Sequence, residues 1–347
     1  MYKRLKDLNW KPPARWLKIS TIDMHTGGEP LRILVEGYPD VKGKTILEKR
    51  KYFRDQLDHV RKGVMWEPRG HADMYGAVIT ESCSEDSDFG CFFMHNEGYS
   101  TMCGHAIIAL TKFVLDTGLI RKKGDRPVLK IDAPPGQIVS TGMRENGVIQ
   151  SVSFRNVPSF VLHRDQQVEV PGIGRVQYDV AFGGAFYAIV DADKLKLSLE
   201  PQELGRLIDL GRRIKKSVMN KQHIIHPFEK DLSFLYGCIF TGRPASPSRH
   251  SRNVCIFANG EVDRSATGSG VSARAALHHA RGDLKVGEKM EIESIIGTTM
   301  EVELSSITTF GPHKAVVPVV TGSASFTGKN SFWFDPEDPL KDGFIIR

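Results

Sequence analysis

The chain has 347 residues, a length for about two domains, with 40% hydrophobic and 25% charged residues, a formal net charge of +6, and no window near the roughly 18 consecutive apolar residues of a membrane span. Its basic opening, MYKRLKDLNWKPPARWLK, has no apolar core, which argues against a secretory leader and leaves a mitochondrial one open. The densest basic groups are Lys3-Arg4-Leu5-Lys6, Arg121-Lys122-Lys123 and Arg212-Arg213-Ile214-Lys215-Lys216; without interleaved aromatics they read as solvated faces, and neither nucleic acid nor a membrane is an expected partner.

In chain order, short β-branched and aromatic runs punctuated by glycine predict strands over Leu31–Val35, Tyr75–Thr80 and Phe92–His95. A helix follows over Gly104–Leu119, apolar around a wide arc and therefore expected inside a sheet or barrel. The same succession returns: strands over Ala185–Asp191, Phe234–Phe240 and Val254–Ala258, then a helix over Gly268–His279. Gly37–Thr45 resembles a phosphate loop with one residue too many and Pro39 inside it, so it reads as a turn.

That return is a duplication. Gly27-Gly28-Glu29 echoes Gly183-Gly184-Ala185 at an offset of 156, Met74-Tyr75-Gly76 echoes Leu235-Tyr236-Gly237 at 161, and Cys91-Phe92-Phe93 echoes Cys255-Ile256-Phe257 at 164. The last offset also pairs Met102-Cys103-Gly104 with Ala266-Thr267-Gly268. The expected architecture is α/β, in two similar lobes that each hold a sheet or barrel around a central helix. The first spans 1–150, and the second spans 151–347 with its last segment packing back on the first.

The five cysteines (Cys83, Cys91, Cys103, Cys238, Cys255) are odd in number and form no C-x-x-C pair, which favours free thiols in a reducing, intracellular compartment. Cys91 and Cys255 fall in apolar strands and read as core. Cys103 begins a helix beside Gly104, where unpaired N–H groups and the helix dipole bind anions and favour a thiolate; the plainer alternative is a small buried apolar residue. Thr267-Gly268-Ser269 opens the second helix, with Asp263 just before it. Two such termini facing one cleft would clamp a carboxylate between backbone amides while Asp263 receives an amine. The plainer readings are a turn residue for Asp263, a simple helix cap for the Thr-Gly-Ser-Gly stretch and a carbonyl-bonded histidine for His105. Arg69, His71 and Asp73 form a polar cluster that could order the cleft. No spacing matches a zinc site.

The ordered set Asp23-Met24-His25-Thr26-Gly27-Gly28-Glu29-Pro30, Glu67-Pro68-Arg69-Gly70-His71, Asn96-Glu97-Gly98-Tyr99, Met102-Cys103-Gly104-His105, Phe182–Tyr187 and Asp263–Gly270 resembles the proline racemase family over about residues 20 to 330. The resemblance implies a fold like diaminopimelate epimerase, no cofactor, a small amino-acid substrate and a homodimer. In the racemases two cysteines serve opposite faces of the substrate. The first matches Cys103; the second falls at Thr267. By the same carry-over Gly104, His105, Asp263, Gly268 and Ser269 contact substrate. A threonine hydroxyl is a far poorer proton donor than a thiol near neutral pH, so the expected reaction uses one base: removal of the Cα proton and loss of a β-hydroxyl, as in the trans-3-hydroxy-L-proline dehydratases of this family. The rivals are a proline racemase or 4-hydroxyproline epimerase, which Thr267 opposes, a non-catalytic binding protein for proline-like ligands, and a thiol oxidoreductase, which lacks a resolving cysteine near Cys103.

Overall fold

The computed structural model describes residues 5, 6 and 8–346; Lys3, Arg4 and Asp7 of the basic opening lie outside the described residues. Two parallel strand pairs in each lobe decide where the helices go, because a parallel pair cannot close through a hairpin and needs a long crossover. In the first lobe Glu29–Glu36 runs parallel to Tyr75–Thr80, and Phe89–His95 parallel to Val128–Ala133. Helix α1, Ile46–Met65, makes the first crossover, and α2, Gly104–Asp116, makes the second. In the second lobe Phe186–Asp191 pairs with Leu235–Gly242 across α3, Leu204–Lys221, and Ser251–Phe257 pairs with Lys289–Glu293 across α4, Gly268–Arg281.

The strands of each lobe curl into a barrel, and the second barrel closes on itself through paired strands. The second runs from Ser159–Val170 through Gly174–Phe182, the four strands just named, Thr299–Phe310 and His313–Gly322, and returns to Ser159–Val170. The first begins at Ala324–Phe334 beside Leu17–Thr26 and ends where Val148–Arg155 meets His313–Gly322. His313–Gly322 is therefore common to both barrels, and the chain passes from it into Ala324–Phe334, which belongs to the first.

Composition sorts the helices into inner and outer pairs. α2 is buried at every position from Gly104 to Leu115, and α4 from Gly268 to Leu277. Each threads a barrel, where an all-round apolar helix belongs. α1 and α3 are amphipathic and lie outside. α3 buries Leu207, Leu210, Ile214 and Val218, spaced three and four apart, and α1 seats Phe53, Val60 and Val64 on a satellite core with Val78 and Phe92. α1 starts on a capping pair: Thr45 accepts from Glu48 N, and the Glu48 carboxylate reaches back to Lys44 N.

Three expectations shift. α2 stops at Asp116, three residues short, because Thr117 caps Phe113 O with its hydroxyl and Gly118, at φ +73°, turns the chain so that Ile120 N bonds Val114 O. α4 runs two residues longer, to Arg281, where Gly282 at φ +86° caps it. The group Arg212–Lys216 is not wholly solvated: Ile214 is buried, and Lys215 lies along the sheet and donates to Ala258 O at 2.7 Å.

Candidate active site

The N-termini of α2 and α4 meet at the centre of the molecule. A methyl group built on Gly104 would lie 2.7 Å from Gly268 Cα, and one on Gly268 would lie 2.8 Å from Gly104 Cα. No other residue permits so close an approach of two backbones, which is why glycine begins both helices. Around this contact is a narrow cavity. Cys103, Gly104, His105, Asp263, Thr267, Gly268 and Ser269, all singled out from the sequence, line it together.

Cys103 is the N-cap of α2 and its Sγ accepts from Ala106 N at 3.3 Å. His105 Nδ1 lies 3.1 Å from the same sulfur. The helix terminus does not by itself make a thiolate here. Burial, against the pull of the Ala106 amide, pushes the Cys103 thiol well above its ordinary range, and Asp263 and Glu29 add to the rise. His105 is held neutral: burial lowers its pKa to about 3, against the opposing effect of a hydrogen bond to the Pro30 backbone. Asp263 is buried, which raises its pKa to about 6, while the hydroxyl and amide of Ser265 pull the other way. Ser265 N donates to Asp263 Oδ1 at 2.8 Å and fixes the carboxylate.

Thr267 is the N-cap residue of α4, as Cys103 is of α2, and sits at φ +66°, a rare conformation for a β-branched residue and a mark of a strained, over-determined site. Its side chain makes no capping bond to α4, so the simple-cap reading fails. Its buried hydroxyl lies within reach of Asp263 and Cys255 but meets hydrogen-bond geometry with no partner among the described residues. Ser269 Oγ is held by the Tyr187 hydroxyl at 2.7 Å.

Seven further residues line the cavity that the sequence did not mark as site residues: Glu29, Tyr75, Met102, Tyr187, Tyr236, Cys255 and Phe257. The duplication carried a signal for most of them, since Tyr75 and Tyr236 are each other's echoes and Cys255 and Phe257 belong to the echoed strand. Burial keeps the three tyrosines neutral well past their ordinary range, so they wall the site as apolar rings with hydroxyl tips. Cys255 is fully buried, as its strand pattern implied, yet it also borders the cavity.

The polar cluster at 69–73 divides. Arg69 ties the C-terminal segment through Trp333 O and Lys341 O, His71 is exposed, and Asp73 bridges the lobes to Arg264 at 2.9 Å. The Gly-Gly turns join the lobes in a matched way. Thr298 Oγ1 donates to Gly27 O, and Thr101 Oγ1 donates to Gly184 O. The set of backbone amides at two helix ends, two carboxyl groups, one neutral imidazole and one thiol fits a small zwitterionic amino acid.

The family model described as proline racemase matches residues 21–345. A protein of Colwellia psychrerythraea named trans-3-hydroxy-L-proline dehydratase is 50% identical, covering 97% of this chain and 96% of its own length. A human protein of the same name is 44% identical, with 95% of each chain covered. The crystal structure of a hydroxyproline epimerase from Agrobacterium vitis with bound trans-4-hydroxy-L-proline superposes with a TM-score of 0.91 at 28% identity, covering 96% of each chain.

Proposed function

The chain belongs to the proline racemase family, and from that premise we propose that it dehydrates trans-3-hydroxy-L-proline to Δ1-pyrroline-2-carboxylate, a hydro-lyase reaction that needs a base on one face of the substrate only. The observation that carries this reading is the pairing of Cys103 on one helix N-terminus with Thr267 on the facing one.

The substrate carboxylate sits between the backbone amides at Gly104, His105, Gly268 and Ser269, where the N-terminal ends of α2 and α4 stabilise the enolate charge that develops on proton loss. Asp263 receives the ring ammonium, and neutral His105 accepts the second N–H. Cys103 removes the Cα proton. A thiol whose ionisation is disfavoured by burial gives, once ionised, a stronger base than an ordinary thiolate, which suits a weakly acidic C–H. In trans-3-hydroxy-L-proline the Cα hydrogen and the 3-hydroxyl share a ring face, so the elimination is syn and proceeds on the Cys103 side. The enamine product tautomerises to the cyclic imine. Thr267 packs and orients the opposite face and supplies no proton, which opposes racemisation of proline or epimerisation of 4-hydroxyproline. The free thiols at all five cysteines support a reducing compartment, and a homodimer remains part of this reading.

The test is incubation of the purified protein with trans-3-hydroxy-L-proline and no added cofactor, followed by NMR. Accumulation of Δ1-pyrroline-2-carboxylate is expected; unchanged substrate would overturn the proposal.

A further inference from the structure

Expelling hydroxide from carbon requires a proton on the departing oxygen, and Cys103 is occupied in taking the Cα proton. The geometry points to Glu29 as the general acid that protonates the 3-hydroxyl of the substrate, an inference that rests on the dehydratase reading above.

Four observations carry it. Glu29 is fully buried and lines the cavity with Cys103. One carboxyl oxygen, Oε2, is held by Arg264 N at 2.7 Å, while Oε1 has no hydrogen-bond partner among the described residues. A buried polar atom left without a partner is costly unless a ligand completes it. The turn that carries Glu29 is fixed to the base: Thr26 Oγ1 donates to the carbonyl of His105, two residues beyond Cys103, at 2.8 Å. Finally, the duplication is broken at this position. The echo of Glu29 is Ala185, just as the echo of Cys103 is Thr267. Each lobe presents one face to the substrate, so the acid and the base come from the same lobe and the second lobe offers neither. A syn elimination, in which the proton and the hydroxyl leave from one face, asks for that asymmetry; a two-base inversion does not.

Burial, followed by the neighbouring Asp263 carboxylate, pushes the Glu29 carboxyl well above its ordinary range, the direction that favours the protonated acid. The step balances. The Cys103 thiolate takes the Cα proton, the C–H electron pair becomes the C2–C3 double bond, and the C3–O bond breaks as oxygen takes the Glu29 proton and leaves as water. Transfer of the proton from Cys103 to the Glu29 carboxylate restores both groups.

The experiment compares leaving groups. Glu29→Gln keeps an acceptor for Arg264 N and removes the acid. It is assayed with trans-3-hydroxy-L-proline and with trans-3-chloro-L-proline, whose chloride departs without a proton. Dehydration should fall by about 10²–10⁴-fold, the usual contribution of a positioned acid, while chloride release stays within about fivefold of wild type. If both rates fall together, Glu29 is a binding or structural residue, and if neither falls, the Cys103 thiol returns its own proton to the oxygen; either result overturns the assignment. Dehydration by the wild-type protein, measured alongside, tests the function separately, so failure of one claim is not failure of the other.

Discussion

Replacing Gly104 by alanine tests the architecture at its narrowest point. The new methyl would lie 2.7 Å from Gly268 Cα, 3.1 Å from Gly268 C and 2.9 Å from Phe154 Cζ. The first contact falls about 0.7 Å short of the 3.4 Å at which ordinary contact begins. The obstacle is backbone, with no flexible end to swing away, so the two helix N-termini must separate by about that amount. Overpacking of this kind costs about 1–3 kcal/mol, or about 1–4 °C in Tm for a protein of this size. The larger effect is on the site. The amides that hold the substrate carboxylate move apart, and a displacement near 1 Å costs about 10²-fold in rate. We expect kcat/KM for dehydration to fall about that far in Gly104→Ala, with the far-UV circular dichroism spectrum unchanged. Gly205→Ala, where a methyl would meet no atom within 4 Å, is the control and should keep wild-type kinetics. A Gly104→Ala protein with wild-type kcat/KM would refute the claim that facing helix termini bind the carboxylate.

Other outcomes follow from the same geometry. Cys103→Ser should lose at least about 10³-fold in turnover, because a serine hydroxyl cannot serve as the base near neutral pH; steady-state rates above about 1% of wild type would sink the assignment. Thr267→Cys places a thiol on the second face and should introduce inversion of L-proline, read by polarimetry; a variant that dehydrates but never inverts would show that position 267 does not face Cα. Because burial raises the Cys103 thiol, kcat/KM should still climb between pH 7 and 9, and a plateau below pH 8 would contradict a buried thiol as the titrating base. Glu29 gives a stability prediction. Its raised carboxyl pKa makes a contribution that is complete below the unfolded value of 4.5 and is lost as pH rises toward the folded value. Glu29→Gln should therefore gain in Tm relative to wild type from pH 5 to 8 and match it at pH 4; a pH-independent difference would contradict this.

Much of this was legible in the residues. The inner helices were readable because their apolar positions cover the whole circumference, and the strands because their punctuation recurs. α1 and α3 were missed, although Phe53, Leu57, Val60 and Val64 keep a helical period, because abundant Lys, Arg and Asp on the outer face lowered the local hydrophobicity. Cys103, His105, Asp263 and Thr267 announced themselves through chemistry near glycine, and the structure places them in one cavity. Glu29 did not, since a single glutamate after a Gly-Gly turn is ordinary until burial and an unsatisfied oxygen single it out. The state of the Cys103 thiol was misjudged for a related reason: the dipole of α2 is visible in the sequence, whereas the desolvation that outweighs it depends on the closed interior.

The central claim is that one base, on one face, eliminates water. It is tested most directly by two assays on one sample without added cofactor: formation of Δ1-pyrroline-2-carboxylate from trans-3-hydroxy-L-proline, and change of optical sign in L-proline and 4-hydroxyproline. Dehydration with no inversion is the predicted result. Inversion without dehydration would mean that a group on the Thr267 side delivers a second proton, and would contradict the account.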